Sequence, residues 1–348
     1  MIFVSVGLPS RFAEWCDSIV ATLVQAALGP PALVSGATFE EIALAALRTT
    51  ERHLVVGVRQ PDDAFRSLLG EWGRRVVVAL DDPRAAVQNL TLRHGLDWKS
   101  ALRAAAGSCA ALIGTIAIPE ALVLRADDHF RDTVATAQAM AAWLDLPSDA
   151  GAIAGLVSAY EDPGAAAADD LDSWWNTLAQ QQRSAIDGAL NAYQEYFREG
   201  RLGQIVWTRE LFFVGDDPQT AADHVIDIAG PVRYLLFGPY IALPPGEWDA
   251  KVVIAVSSKA AELPYTVEIL AGAQFACLAQ GTIQPQREGL CEAHLRFAID
   301  GSTGQPIELR LANLQPAAGR LALVHVTLSP IAQRSADLPT EISRALGL

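Results

Sequence analysis

The stretch Met1-Ile-Phe-Val-Ser-Val-Gly-Leu-Pro-Ser-Arg-Phe-Ala-Glu-Trp-Cys16 decides how the N-terminal half is read. Ile2 to Val6 is an apolar run of strand length, Gly7-Leu8-Pro9 turns the chain, and Phe12 to Leu28 has the apolar spacing of a helix. Strand, tight loop and helix in that order aim backbone N–H groups and a positive helix end at one point, the geometry that receives an anion. The side chains there are a bulky ring at Phe12, a methyl at Ala13 and a carboxylate at Glu14. A carboxylate in the first helical turn complements the macrodipole by roughly 0.3–1 kcal/mol. Glu14 therefore serves the helix when no anion is bound and repels one that arrives.

The same alternation continues to about residue 147. Further apolar runs at Leu54–Val58, Arg75–Leu80 and Ala121–Arg125 predict strands. Thr38–Thr49, Pro61–Trp72, Pro83–His94, Trp98–Ile113 and Phe130–Leu144 predict helices. Strands without polar alternation suit a parallel sheet covered on both faces, so residues 1–147 read as a doubly wound α/β domain with its ligand site outside the carboxyl ends of the strands. Residues 148–203 read as a helical connector dominated by one long pattern from Leu171 to Arg198, with Asp172 or Ser173 as its cap. From Gln204 the period becomes two, with closely spaced turns, which predicts an antiparallel β-sandwich over 204–331. Leu243-Pro244-Pro245-Gly246 is its sharpest turn signal. Residues 332–348 read as a polar C-terminal tail.

A chain of 348 residues, half of them apolar and 8 of them Trp, can bury two cores. No stretch reaches the roughly 18–20 apolar residues of a membrane span, and no secretory leader is evident, so a soluble cytoplasmic protein is expected. The net charge of −14 argues against nucleic acid and against a strongly anionic nucleotide. Cys16, Cys109, Cys277 and Cys291 lack metal-type spacing, and no metal is expected. Cys277 and Cys291 are placed to face each other across two strands, although a reducing compartment disfavours a disulfide.

Three segments of the first half resemble the sulfotransferase family. Gly7 to Trp15 is similar to its loop Gly-Leu-Pro-Arg-Ser-Gly-Thr-Thr-Trp. Val76 to Leu90, with Asp81-Asp82-Pro83-Arg84 and Asn89, is similar to its strand, Arg-Asp-Pro-Arg-Asp and helix. Ala121 to Phe130, followed by a helix ending at Pro147, is similar to its strand, Tyr-Glu-Asp-Leu and helix. The resemblance implies a P-loop-type fold and 3′-phosphoadenosine-5′-phosphosulfate as cofactor. It places Ser10 and Arg11 at the phosphosulfate and Arg84 and Asn89 near the 3′-phosphate. Asp81 stands where the family has Arg. A unit charge about 4 Å from another interacts by about 4 kcal/mol at an effective dielectric of 20, so this exchange reverses a large interaction. An active enzyme would use Arg11 as the cation and a histidine, His129 foremost among His53, His94 and His129, as the base.

In the second half, Gly238-Pro239-Tyr240 and Leu243-Pro244-Pro245-Gly246 resemble a segment of carbohydrate-binding-like β-sandwich modules of bacterial glycan-assembly proteins, which implies a jelly-roll-like fold. Sugars are held by aromatic faces and by polar side chains reaching their hydroxyls. Tyr240, Trp248 and Trp207 are the aromatic candidates, with Asn313 and Arg310 as polar partners.

The sequence thus leads to a non-catalytic sulfotransferase-like scaffold or glycan-recognition protein beside bacterial surface-polysaccharide assembly. Its partners would be a glycan, another protein or a second copy of itself. The alternatives are a divergent sulfotransferase acting on a carbohydrate or small acceptor, and a purely structural subunit.

Overall fold

A computed structural model describes every residue except 37–38, 73–74, 117, 119–120, 130–131, 148, 159–170, 216, 222–224, 301–303 and 332–348. The tail at 332–348 and the Ala-rich stretch from Gly164 thus lie outside the described residues. Contacts divide the chain between Thr177 and Leu178, within the segment read as a single connector.

The first unit runs β1 (Ile2–Gly7), α1 (Arg11–Leu28), β2 (Pro31–Gly36), α2 (Phe39–Ala46), β3 (His53–Val58), α3 (Asp63–Trp72), β4 (Val76–Leu80), α4 (Pro83–Leu92), α5 (Trp98–Ile116), β5 (Ala121–Arg125), α6 (Ala126–His129), α7 (Thr133–Trp143), α8 (Ala150–Val157) and α9 (171–177). Its five strands lie in the order β2-β3-β1-β4-β5, all pairs parallel. β1 and β4 are apolar because both their faces are covered: Val4, Val6 and Val76 to Ala79 are buried. α1 lays Phe12, Trp15, Cys16, Ile19, Val20 and Leu23 into a core shared with Val55, Val77, Leu124 and Met140. Gly7 allows the loop its tightness, since a Cβ there would come within 2.7 Å of Ala13 Cβ and 2.9 Å of the Ala79 carbonyl oxygen.

Two local expectations are corrected. β2 was not anticipated, because it pairs only with β3, starts with proline and leaves Leu33 half exposed, as an edge strand does. The helix expected from Phe130 to Leu144 is α7, which starts at Thr133 where the Asp132 carboxylate accepts the Ala135 N–H.

The second unit runs α10 (Gln180–Glu199), β6 (Ile205–Thr208), β7 (Phe213–Val214), β8 (Asp217–Ala221), β9 (Ile226–Asp227), β10 (Tyr234–Ala242), β11 (Gly246–Val256), β12 (Tyr265–Ala271), β13 (Ala276–Ile283), β14 (Gly289–Ile299), β15 (Pro306–Asn313) and β16 (Arg320–Pro330). The expected single helix from Leu171 to Arg198 is thus broken at Leu178–Ala179. There the Gln182 side chain accepts the Ala179 N–H and opens a new helix. Asp172 and Ser173 lie inside α9.

The strands form two antiparallel sheets, β13-β12-β15-β10-β7-β8 and β14-β11-β16-β6, with β9 pairing β16. Burial alternates as a one-face-covered sheet requires. Trp248, Ala250, Val252, Ile254 and Val256 of β11 are buried beside Leu321, Leu323, Val326 and Leu328 of β16. Gly246 begins β11 at φ +145°, a positive φ that glycine supplies without strain. α10 buries Ile186, Leu190, Tyr193 and Phe197, and the Tyr193 hydroxyl donates to the Ala242 carbonyl at 3.2 Å. All four cysteines are free: Cys277 lies on β13 in one sheet and Cys291 on β14 in the other.

Candidate functional site

The β1–α1 loop is occupied by groups of the protein itself. Ser10 caps α1, its buried hydroxyl oxygen accepting the Ala13 N–H at 3.4 Å while the hydroxyl donates to the Asp81 carboxylate. Burial pushes the Asp81 carboxyl up to about 6, and the charges of Asp82 and Asp127 push the same way against the Ser10 and Asp82 hydrogen bonds. Phe12 does not stand in the loop mouth. Its ring is fully buried in the core, stacked on Trp15 at 6.1 Å and 11°.

Asn89 and Glu14 complete the network. The Asn89 amide donates to the Pro9 carbonyl at 3.1 Å and to Glu14 Oε1 at 2.8 Å. Glu14 also receives Arg93 at 3.2 Å and lies 3.5 Å from His94 Nε2. Arg84 is held by Asp82, with contacts of 3.1 and 2.6 Å, and its guanidinium lies 5.2 Å from the centre of the Trp175 ring. The structure therefore joins Ser10 to Asp81 and Asn89 to the loop, but turns Arg84 to Asp82 and Trp175. Arg11 is the half-buried first residue of α1.

The candidate bases are likewise engaged or misplaced. His129 Nδ1 lies 3.0 Å from the Arg125 amide nitrogen and 2.9 Å from its carbonyl oxygen, so that nitrogen is tied to the backbone rather than aimed at an acceptor. His53 starts β3, at the amino end of the sheet, whereas the loops lie at the carboxyl end. Among the described residues, no group of His, Cys, Asp and Glu is arranged to hold a metal ion.

Three of the residues read as sugar contacts are interior. Trp207 and Trp248 are each 1% exposed, and the Trp248 indole donates to the Pro244 carbonyl at 3.2 Å. They are core anchors because β6 and β11 point these positions to the covered face of the sheet. Asn313 is fully buried and engaged: Oδ1 accepts the Arg233 N–H, and Nδ2 donates to the carbonyls of Pro231 and Gln315. None of these three presents a surface to a sugar.

Tyr240 and Arg310 lie in a polar and aromatic cluster on the sheet that contains β15 and β10. Tyr240 donates its hydroxyl to Glu308 Oε1 at 3.0 Å, and Arg310 Nη2 donates to Glu308 Oε2 at 2.8 Å. Glu308 is 3% exposed. The Arg310 guanidinium lies 4.7 Å from the Phe275 ring centre and 5.3 Å from that of Tyr234. Those two rings are about half exposed, at 47% and 46%. Phe237 and Phe213 continue the aromatic row from Tyr240. The order β12-β15-β10 assembles this face, since Arg310 lies opposite both Glu268 and Phe237.

Tyr234, Phe275 and Glu308 are missed by sequence reading because they come from three separate strands or turns and form no motif. Backbone geometry marks two members of the cluster. Tyr240 and Phe275 have φ of +65° and +51°, in the left-handed region that costs a non-glycine residue about 1–3 kcal/mol.

Neither a scan of protein-family profiles nor a search of curated proteins finds a match. Among solved structures, part of the chain is similar to a cyclase from Fischerella sp. TAU, with 19% identity, 30% of this chain and 59% of that chain covered, and a TM-score of 0.24. Mouse sulfotransferase SULT7A1 complexed with PAP is similar at 12% identity, covering 45% of this chain and 61% of that one, TM-score 0.36. The C-terminal CBM6 of LamC from Zobellia galactanivorans is similar at 11% identity, covering 30% and 75%, TM-score 0.21. The chain spans about three fifths of the length of the first solved structures it matches. At such TM-scores none of these likenesses sets the fold or the function.

Proposed function

We propose that this protein recognises a glycan through the β unit, which we read as jelly-roll-like, and that its sulfotransferase-like α/β unit transfers no sulfuryl group. The observation that carries the reading is Arg310, held by buried Glu308 between the half-exposed rings of Tyr234 and Phe275. Exposed rings supply flat faces for the C–H side of a pyranose, and the guanidinium beside them reaches hydroxyls. The pairing with Glu308 offsets the Arg310 charge locally, which suits a sugar better than a polyanion.

The reading of the α/β unit rests on its filled loop. Glu14 holds Asn89 and Arg93, and Asp81 holds Ser10, so a bound 3′-phosphoadenosine-5′-phosphosulfate would meet two carboxylates where its phosphates need cations. The placement beside bacterial surface-polysaccharide assembly rests on the sequence resemblance around Gly238-Pro239-Tyr240.

The test is a glycan array with wild type, Tyr234→Ala and Phe275→Ala, each checked for a cooperative melting transition well above the assay temperature. Binding by wild type that both variants lose supports the reading. Absence of binding to any glycan leaves the purely structural role. In parallel, 3′-phosphoadenosine-5′-phosphate at a hundredfold excess over a micromolar Kd would stabilise a true nucleotide binder by about 2.7 kcal/mol. No such shift is expected, and a shift of that size would restore the enzyme.

A further inference from the structure

The carboxyl ends of β1, β2 and β3 open onto a cleft of about 580 Å³ that the filled loop only borders. This is where a doubly wound sheet presents a ligand, beside the central strand from which the chain crosses to either side. Asp17 and Glu14 of α1, Arg59 and Gln60 after β3, His94 after α4 and Ser108 of α5 contribute to its lining.

Its charges are paired within the protein. Arg59 meets Asp17, their side chains 15% and 6% exposed, and Glu14 meets Arg93 and His94. The pairing is nevertheless incomplete as hydrogen bonding. Asp17 Oδ1 and Arg59 Nη1 are buried and without a hydrogen-bond partner, as is Asn89 Oδ1 beside Glu14. Buried polar atoms are rarely left so, and an unpartnered donor on Arg59 and acceptor on Asp17, both residues that line a cleft of ligand size, point to a missing polar molecule.

The charge of that molecule follows from the same residues. An anionic group entering beside Glu14 would approach a carboxylate, while the cations that could offset it, Arg59 and Arg93, already have counter-ions. Hydroxyls carry no such penalty. They accept from Arg59 and donate to Asp17.

We propose that this cleft binds a small uncharged polyhydroxylated molecule, with Asp17 and Arg59 taking its hydroxyls and Glu14 standing as a built-in anion that excludes phosphorylated ligands. The shared chemistry has two sources, a sugar ring or a nucleoside without phosphates.

The experiment is ligand-observed NMR with calorimetry on the full chain carrying Phe275→Ala, which removes the sheet-face site. The probes are methyl glucoside, methyl galactoside, adenosine and 3′-phosphoadenosine-5′-phosphate. At least one neutral probe should bind and be weakened tenfold or more by Ser35→Trp, a substitution of an exposed residue on the rim. The bisphosphate should bind at least tenfold more weakly than adenosine, and Glu14→Gln should narrow that gap. Whether a glycoside or adenosine binds distinguishes the two sources. The inference is overturned if no neutral probe binds, if Ser35→Trp has no effect, or if the bisphosphate matches adenosine.

Discussion

Tyr240 donates its hydroxyl to Glu308 at 3.0 Å from a backbone held at φ +65°, so a strained residue and a buried carboxylate support each other across two neighbouring strands. Glu308 is also the counter-ion of Arg310, and one carboxylate therefore anchors both polar groups of the exposed aromatic face.

A double-mutant cycle tests that linkage. Tyr240→Phe removes one charge-assisted hydrogen bond and is expected to cost about 1.5–3 kcal/mol. Glu308→Ala leaves two partners without an acceptor and is expected to cost more, about 3–5 kcal/mol. Urea unfolding of the singles and the double should show coupling above about 1 kcal/mol. Additive losses would mean that the two groups act separately.

Phe275 separates stability from the recognition proposed for this face. It closes the β12–β13 hairpin at φ +51°, a conformation that glycine adopts freely. Phe275→Gly relieves that strain but loses the ring over Arg310, worth about 0.5–1 kcal/mol, and adds chain entropy to the unfolded state. Its stability should lie within about 1 kcal/mol of wild type and above that of Phe275→Ala, with glycan binding lost in both. A glycine variant less stable than the alanine variant would show that the backbone there is unstrained.

Gly188 is a position where packing overrides helix propensity. On α10 it faces β6, and a Cβ would come within 2.6 Å of the Val206 carbonyl oxygen, a backbone atom that cannot swing aside. Propensity alone favours Gly188→Ala by about 1 kcal/mol. The close approach should reverse the sign to a loss of about 1–3 kcal/mol, read as a lowered midpoint in denaturant.

Asp81 makes stability depend on pH in a direction opposite to that of a salt-bridged carboxylate. Burial raises its folded pKa from the ordinary 3.8 to about 6. The folded state thus binds a proton between about pH 6 and 4 that the unfolded chain does not, and this group adds stability as pH falls through that window. Asp81→Asn should stabilise the protein by about 1–3 kcal/mol at pH 7.5 and by almost nothing at pH 4. Equal effects at both values would remove burial as the cause.

The elements legible in the sequence are those whose signal is local. β1, β3 and β4 are covered on both faces over most of their length, so they are largely apolar and can be read as such. β5, an edge strand with only Leu124 buried, is legible from its run Ala121-Leu-Val-Leu. The two periods, 3.6 before Gln204 and 2 after it, reflect burial of one side of each element in the second unit. Edge strand β2 escaped because half of it faces water and needs no apolar run. The break at Leu178 escaped because the spacing of apolar residues continues on both sides of it, while the interruption is made by the Gln182 side chain.

The chain's own order of residues therefore determined the two classes of architecture and the crowding of carboxylates and bulk around the first strand–loop–helix, since both are written in neighbouring positions. Tertiary structure alone decided which side chains could act. It sent Trp207, Trp248 and Asn313 to the interior and turned Arg84 to Asp82. It also brought Tyr234, Phe275, Glu308 and Arg310 together from distant strands. The reason is physical: a side chain's exposure and partners depend on strand register and on which face its sheet covers, and both are set by contacts between residues far apart in the chain.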